Sequence, residues 1–127
     1  MDLTNPHYDL VGGERGVRSL VDPFYDIMDT DPAAEGIRKL HPDNLESSRN
    51  KLFMFLSGWL GGPQLYVEQY GHPRLRQRHM PFPIGESERD QWMHCMKLAL
   101  DDSEIDAKLR EHLMASFFKT ADFLRNQ

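Results

Sequence analysis

The sequence predicts an all-α fold. Apolar residues recur every three or four positions through most of the 127-residue chain, which is the spacing of a helix with one buried face. No segment alternates apolar and polar residues at period two over a useful length, so no strand is expected. Glycine and proline cluster between the periodic segments and indicate where each helix ends.

The first two helices are predicted on either side of Gly12-Gly13. A short one covers about residues 5–10 and a long one about residues 14–30. The long helix carries one apolar stripe, made of Val17, Leu20, Val21, Phe24, Tyr25 and Met28. It ends before Pro32, and a brief turn then leads to His41-Pro42.

A second long helix is predicted over about residues 43–60. Its inner side consists of Leu45, Ser48, Leu52, Phe55, Leu56 and Trp59. Gly61 and Pro63 end it, as a left-handed cap followed by a residue that cannot continue a helix. The connection from Gly61 to Ile84 is rich in proline and mostly not helical, although a helix of barely two turns begins in it at Pro73.

Two more long helices follow, over about residues 86–101 and 103–125. The acidic residues around Glu86 lie at the positive end of the first, and Asp102-Ser103-Glu104 opens the second. Trp92, Met96 and Ala99 share a face of the first, beside Cys95. The seam of the second is formed by Leu109, Leu113, Phe117, Ala121 and Leu124.

Composition restricts the class of protein. The length suits one domain, residues 1–127, and a net charge of -5 argues against a protein whose main task is to bind nucleic acid. No apolar run is long enough to span a membrane, and the first residues lack the features of a secretory signal. The single cysteine, Cys95, excludes an internal disulfide and agrees with a cytoplasmic location.

His79 is the first candidate for chemistry. Leu75 and His79 share one face of the short helix, and Arg74, Arg76 and Arg78 occupy the others. An imidazole on the apolar face of a basic helix suits an iron porphyrin, because its nitrogen binds the metal and guanidinium groups meet the haem carboxylates. A carbonyl of the preceding turn could orient the ring. The alternative is an ordinary partly buried histidine near a helix end, and the local sequence leaves both open.

Tyr25, Trp92 and His41 are the other candidates. The ordinary role of the two aromatic residues is core filling, but each carries a polar hydrogen that needs a partner once buried. A diatomic molecule bound to iron would be such a partner. His41 is either a surface turn residue or a third polar group of the same cavity.

The remaining titratable residues are read as structural. The arginines of the short helix lack the interleaved aromatics of a nucleic-acid site and are expected to face solvent. His72 is expected to cap the helix or to be exposed, and Cys95 to be a small apolar core residue. His7, His94 and His112 are expected at the surface.

The chain resembles the truncated haemoglobins of group II across nearly its whole length. The motifs that carry the resemblance occur in order: Val11-Gly-Gly13, Phe24-Tyr25, His41-Pro42, Phe55-Leu-Ser-Gly-Trp-Leu-Gly-Gly-Pro63, Tyr66, Gly71-His-Pro-Arg-Leu-Arg-Gln-Arg-His79, Pro81-Phe-Pro-Ile84, Glu88-Arg-Asp-Gln-Trp92 and Cys95-Met96. The resemblance implies a two-over-two helical sandwich that binds haem b. A histidine at position 41 is less common in the family than tyrosine or phenylalanine.

The resemblance also implies roles for site residues. His79 would be the proximal iron ligand, with Tyr25, Trp92 and His41 on the distal side. Leu52 and Phe55 would be apolar walls and Ser48 would lie near the gate. The propionate side would be formed by Arg78, Tyr66 and Lys51, and further haem contacts by Phe82, Ile84 and Met96.

The expected function is binding of O2 and other small ligands at the iron. One hypothesis is redox chemistry, either oxidation of nitric oxide or a peroxidase reaction, with His41 as proton carrier and an unidentified reductant. The alternative is storage or sensing of O2 or sulfide without significant turnover, and a third is a haem-free helical interaction module. The expected partners are O2, NO, CO and peroxide or sulfide, with no nucleic acid and no membrane. A monomer or weak dimer is expected.

Overall fold

The computed structural model describes residues 7–127 and confirms the all-α prediction, since no strand occurs in that range. Its helices are α1 (His7–Leu10), α2 (Gly13–Thr30), α3 (Glu35–Arg38), α4 (Glu46–Trp59), α5 (Leu65–Tyr70), α6 (Leu75–His79), α7 (Glu86–Asp101) and α8 (Ala107–Phe123). A 3-10 turn, Pro32–Ala34, precedes α3. Within residues 7–127, none of the helices has the length and apolar character needed to cross a membrane.

Four helices form two packed pairs. Helix α2 lies against α4, α7 lies against α8, and the broad contact between α2 and α7 joins the pairs. This is the two-over-two arrangement that the resemblance implies. The whole predicted stripe of α2 is buried at this junction, and so are Cys95, Met96 and Ala99 of α7 and Leu113 and Phe117 of α8.

Helix α4 differs from its predicted pattern. Its buried residues are Phe53, Leu56 and Ser57, while Leu52 and Phe55 are only half-buried. The core-facing side of α4 is therefore rotated by about one position from the predicted stripe. Leu52 and Phe55 therefore lie at the edge of the core, with part of their apolar surface exposed.

The last helix begins later than predicted. Asp102 and Ser103 close α7, since their N–H groups donate to the carbonyls of Leu98 and Leu100. Ile105 then enters the core, which requires a turn before the chain can start a new helix. The residue that caps α8 is Asp106, whose carboxylate accepts a hydrogen bond from the Lys108 N–H at 3.0 Å.

The connection between α4 and α7 contains more helix than expected. Gly61 has a φ of 93°, which confirms the left-handed cap predicted there. Helix α5 was not predicted, because six residues are too few for a helical period to be recognised. Helix α6 begins at Leu75 and not at Pro73, because Arg74 has a φ of 47° and interrupts helical geometry.

Gly16 is required where α2 passes the end of α1. A Cβ atom at this position would overlap the carbonyl group of Val11. We expect Gly16→Ala to lower the free energy of unfolding by about 1–3 kcal/mol, because the backbones would have to move apart. Ser19→Ala is the matched control, since Ser19 is exposed on the same helix. Denaturant unfolding followed by circular dichroism measures both, and equal stabilities of the two variants would contradict the close approach.

Candidate functional site

His79 is the last residue of α6, and its ring is oriented by the preceding turn. Its Nδ1 lies 2.6 Å from the carbonyl oxygen of Leu75. This contact places the ring proton on Nδ1, where it can be donated, and leaves the lone pair of Nε2 available. The side chain is half-buried. The carbonyl partner expected from the sequence is therefore present.

His41 has the same arrangement on another segment. Its Nδ1 lies 2.9 Å from the carbonyl oxygen of Ile37, which again leaves Nε2 available. Burial lowers the pKa of His41 from its ordinary value of 6.5, against the raising effect of the Ile37 carbonyl, and the positive charge of the Arg38 guanidinium lowers it further. His41 is therefore neutral at pH 7.

Tyr25 presents a phenol in a nearly closed environment. The residue is 5% exposed, and its hydroxyl has no hydrogen-bond partner among residues 7–127. Burial raises the pKa of this phenol far above 10, and the nearby Arg49 guanidinium opposes that effect only in part. The hydroxyl therefore keeps its proton at physiological pH. The ring centre lies 5.9 Å from that of His41.

Phe24 brings Trp92 next to this group. Its ring centre lies 5.0 Å from that of Trp92 and 4.9 Å from that of Tyr25. Trp92 is half-buried, and in the described part of the chain its indole N–H has no hydrogen-bond partner. Two proton donors without partners, from α2 and α7, are thus held against one buried ring.

A second group of predicted residues surrounds Tyr66. Its ring centre lies 6.4 Å from that of Phe55, and the Arg78 guanidinium lies 5.8 Å from the Tyr66 ring. Tyr70 packs 4.9 Å from Tyr66 and has the Lys51 ammonium 5.7 Å from its ring. The residues expected on the propionate side therefore form one cluster, in which Tyr70 links Lys51 to the rest.

The other residues predicted to contact haem differ in how far they are buried. Ile84 and Met96 are buried, and Leu52 is half-buried. Ser48 is half-buried, and its side chain forms no hydrogen bond to another described residue. Phe82 remains 41% exposed, so no described part of the chain covers it fully.

The structural histidines and the cysteine are mostly as expected. Cys95 is a buried core residue, and burial raises the pKa of its thiol to about 11. His72 is exposed and accepts a hydrogen bond from the Arg74 N–H at 3.0 Å. The side chain of His94 is 38% exposed, and its Nε2 lies 2.8 Å from a carboxylate oxygen of Asp31.

His7 and His112 were both expected at the surface. Their ring centres lie 4.9 Å apart, so they form a pair in place of two separate side chains. His112 is exposed and His7 is half-buried. The pair lies between α1 and α8.

Gln91, which no spacing pattern in the sequence indicated, supports His41 indirectly. Its side-chain oxygen accepts a hydrogen bond from the Ile37 N–H at 2.8 Å, and the Ile37 carbonyl in turn meets His41. A Cβ at Gly36 would lie 2.9 Å from this amide, so only glycine admits it comfortably. The sequence indicated a role for Gln91 only by placing it directly before Trp92, in one of the motifs that carry the resemblance.

The donor set fits a haem group. It offers one imidazole nitrogen with an available lone pair, apolar side chains left half-buried beside the core, and a basic cluster at an edge. Phenol and indole protons without partners supply what a polar ligand of the iron would need. These are properties of the described side chains, and they agree with the group that the resemblance implies.

Comparison with known proteins identifies the relatives of this chain. Residues 6–126 match the family described as bacterial-like globin. The group 2 truncated hemoglobin YjbI of Bacillus subtilis is 38% identical over 97% of this chain and 90% of its own length.

Solved structures give the same result. The cold-adapted truncated hemoglobin of the Antarctic bacterium Pseudoalteromonas haloplanktis is 48% identical, with a TM-score of 0.92 over 94% of this chain and 97% of its own. The group II 2-on-2 hemoglobin of Agrobacterium tumefaciens is 44% identical, with a TM-score of 0.93 over 99% of this chain and 98% of its own. Sequence identities of 48% and 44% indicate membership of the same family, and not only a shared fold.

Proposed function

Since this chain belongs to the bacterial-like globin family and is a group II truncated haemoglobin, we propose that His79 is its proximal iron ligand. Membership of the family means that the chain binds haem and, through it, small ligands such as O2. The observation that carries the proposal is the contact of His79 Nδ1 with the Leu75 carbonyl, because it directs the unprotonated Nε2 away from α6.

We propose haem b as the form of the cofactor. Covalent attachment of haem, as in the c-type haem proteins, requires a Cys-x-x-Cys-His motif, and the sequence has a single cysteine. That cysteine, Cys95, is buried in the core. The group would therefore be held by His79, by apolar contacts and by Arg78 and Lys51 at its carboxylates.

Replacement of His79 tests the proximal assignment. We expect His79→Gly to lose the iron–histidine stretching band in the resonance Raman spectrum of the ferrous protein, because no other imidazole is oriented on α6. Added imidazole should restore the band. His72→Gly, on the segment before α6, is the control and should keep it. Persistence of the band in His79→Gly without imidazole would contradict the assignment.

The distal residues favour retention of a polar ligand. Haem held by His79 would supply an iron at which O2 can bind. The Tyr25 hydroxyl and the Trp92 N–H can both donate hydrogen bonds there, because neither has a partner among the described residues. The phenol remains protonated because burial raises its pKa. A retained ligand suits oxygen-dependent chemistry, such as oxidation of nitric oxide, better than rapid delivery.

The O2 dissociation rate measures this retention. If each hydrogen bond contributes about 1–1.5 kcal/mol, Tyr25→Phe and Trp92→Phe should each release O2 roughly five- to thirteenfold faster, and the double variant roughly 30- to 150-fold faster. Tyr8→Phe is the control, since Tyr8 packs beside Gly62 and away from Trp92. Fast release that neither substitution alters would instead favour simple O2 storage or sensing, the second candidate function.

His41 supports a peroxidase reaction. An incoming hydrogen peroxide molecule must give up a proton, and a neutral imidazole can accept it. Burial keeps His41 neutral at pH 7, and its Nε2 has no partner in the described part of the chain. The Ile37 carbonyl holds the ring so that this nitrogen stays available. The electron donor for such a reaction is an unidentified reductant.

Peroxide turnover should depend on His41 and on pH. The neutral form is the base, and its pKa is lowered from 6.5, so turnover should be level above that pH and fall as the solution is acidified through the lowered pKa. His41→Phe should reduce turnover about 100-fold or more and abolish this dependence. His112→Phe, at an exposed histidine, is the control. An unchanged rate in His41→Phe would exclude the role of base.

A further inference from the structure

The segment that follows His79 has little support of its own. Pro81 and Pro83 lack N–H groups, so residues 80–84 cannot continue α6. Met80 is 59% exposed and Phe82 is 41% exposed, which leaves few apolar contacts to hold the segment. The Met80 and Phe82 N–H groups donate to carbonyls of α6, at Arg76 and His79, which leaves the Phe82 carbonyl and the Ile84 N–H and carbonyl to find partners in another part of the chain.

Asn126 supplies those partners from the other end of the sequence. Its side-chain oxygen accepts a hydrogen bond from the Ile84 N–H at 2.9 Å. Its NH2 group donates to the Phe82 carbonyl at 2.7 Å and to the His79 carbonyl at 3.4 Å. The backbone N–H groups of Asn126 and Gln127 both donate to the Ile84 carbonyl, at 2.9 and 3.1 Å. One side chain thus binds the segment at three places, one of them the backbone of His79.

The chemistry of these partners requires an asparagine. Ile84 offers a donor and must meet an oxygen, while Phe82 offers an acceptor and must meet an N–H. An aspartate has the same shape but would direct a negatively charged oxygen at the Phe82 carbonyl. An alanine would leave all three backbone groups without the amide.

The residues before Asn126 are themselves held in place. Asp122 at the end of α8 accepts hydrogen bonds from Arg89 of α7 at 2.8 Å and from Arg125 at 3.1 Å. Arg76 of α6 donates to the Phe123 carbonyl at 3.1 Å and lies over the Phe123 ring. The end of α8 is therefore tied to α7 on one side and to α6 on the other.

We propose that residues 124–127 form a strap that, through Asn126, fixes the segment after His79, so that Asn126 is a positioning residue for the His79 imidazole and for retention of haem. The proposal rests on the proximal role of His79. The Leu75 carbonyl sets the rotation of the ring, whereas Asn126 sets where the backbone that carries the ring lies. Helix α6 has only five residues, and most of its side chains are exposed, so its position depends on its two ties to the end of the chain, one through Arg76 and one through Asn126.

The test compares Asn126→Asp and Asn126→Ala with the control Gln127→Ala, whose side chain lies outside the hydrogen bonds described. Three readouts are taken on the haem-loaded proteins: haem transfer to apomyoglobin, the iron–histidine stretching band, and hydrogen exchange at the Ile84 amide. We expect both Asn126 variants to lose haem about tenfold faster or more, with Asp at least as severe as Ala. The band should shift or broaden, and exchange at Ile84 should accelerate. Gln127→Ala should stay within about twofold of the parent protein.

Two results would overturn the proposal. One is an Asn126→Asp protein whose haem loss and iron–histidine band match those of the parent. The other is faster haem loss in Asn126→Ala with unchanged exchange at Ile84, because the effect would then not pass through the segment. If one variant does not fold, the other gives the same comparison. Failure of the proximal assignment gives a different result, because the His79→Gly variant, which retains Asn126, would then keep the iron–histidine stretching band.

Discussion

The contact between His79 and the Leu75 carbonyl is the interaction on which the rest of the site depends. An imidazole has two nitrogens, and only one of them can present a lone pair to a metal. By engaging Nδ1 at 2.6 Å, the carbonyl decides which one it is and in which plane the ring lies. The same chemistry recurs at His41 with the Ile37 carbonyl. Each ring therefore takes its orientation from the main chain four residues earlier and not from a carboxylate.

On the side of the site that carries Tyr25 and Trp92, packing in the buried core positions the side chains. Helix α2 places Phe24 and Tyr25 side by side in the core, and Phe24 contacts Trp92 of α7. A fully buried ring, that of Phe24, therefore lies against both proton donors. Burial also keeps the Tyr25 phenol protonated, so one physical cause provides both the position and the chemical state of the donor.

The parts that sequence could predict are those governed by local pattern. The stripe of α2 and the cap at Gly61 follow from helical period and from backbone freedom, and both are confirmed. The late start of α8 could not be predicted, because it depends on Ile105 reaching the core between two helices. Helix α5 is too short to leave a period. Gln91 and Asn126 act through backbone groups distant in sequence, which no spacing rule reveals.

Gln91 and Trp92 are neighbours on α7, and this adjacency ties the loop carrying His41 to the indole. Gln91 holds the Ile37 amide, Ile37 holds the His41 ring, and the next residue along the helix is the tryptophan itself. The loop that carries residue 41 is thus joined to α7 through the backbone of Ile37, so the attachment does not depend on which side chain occupies position 41.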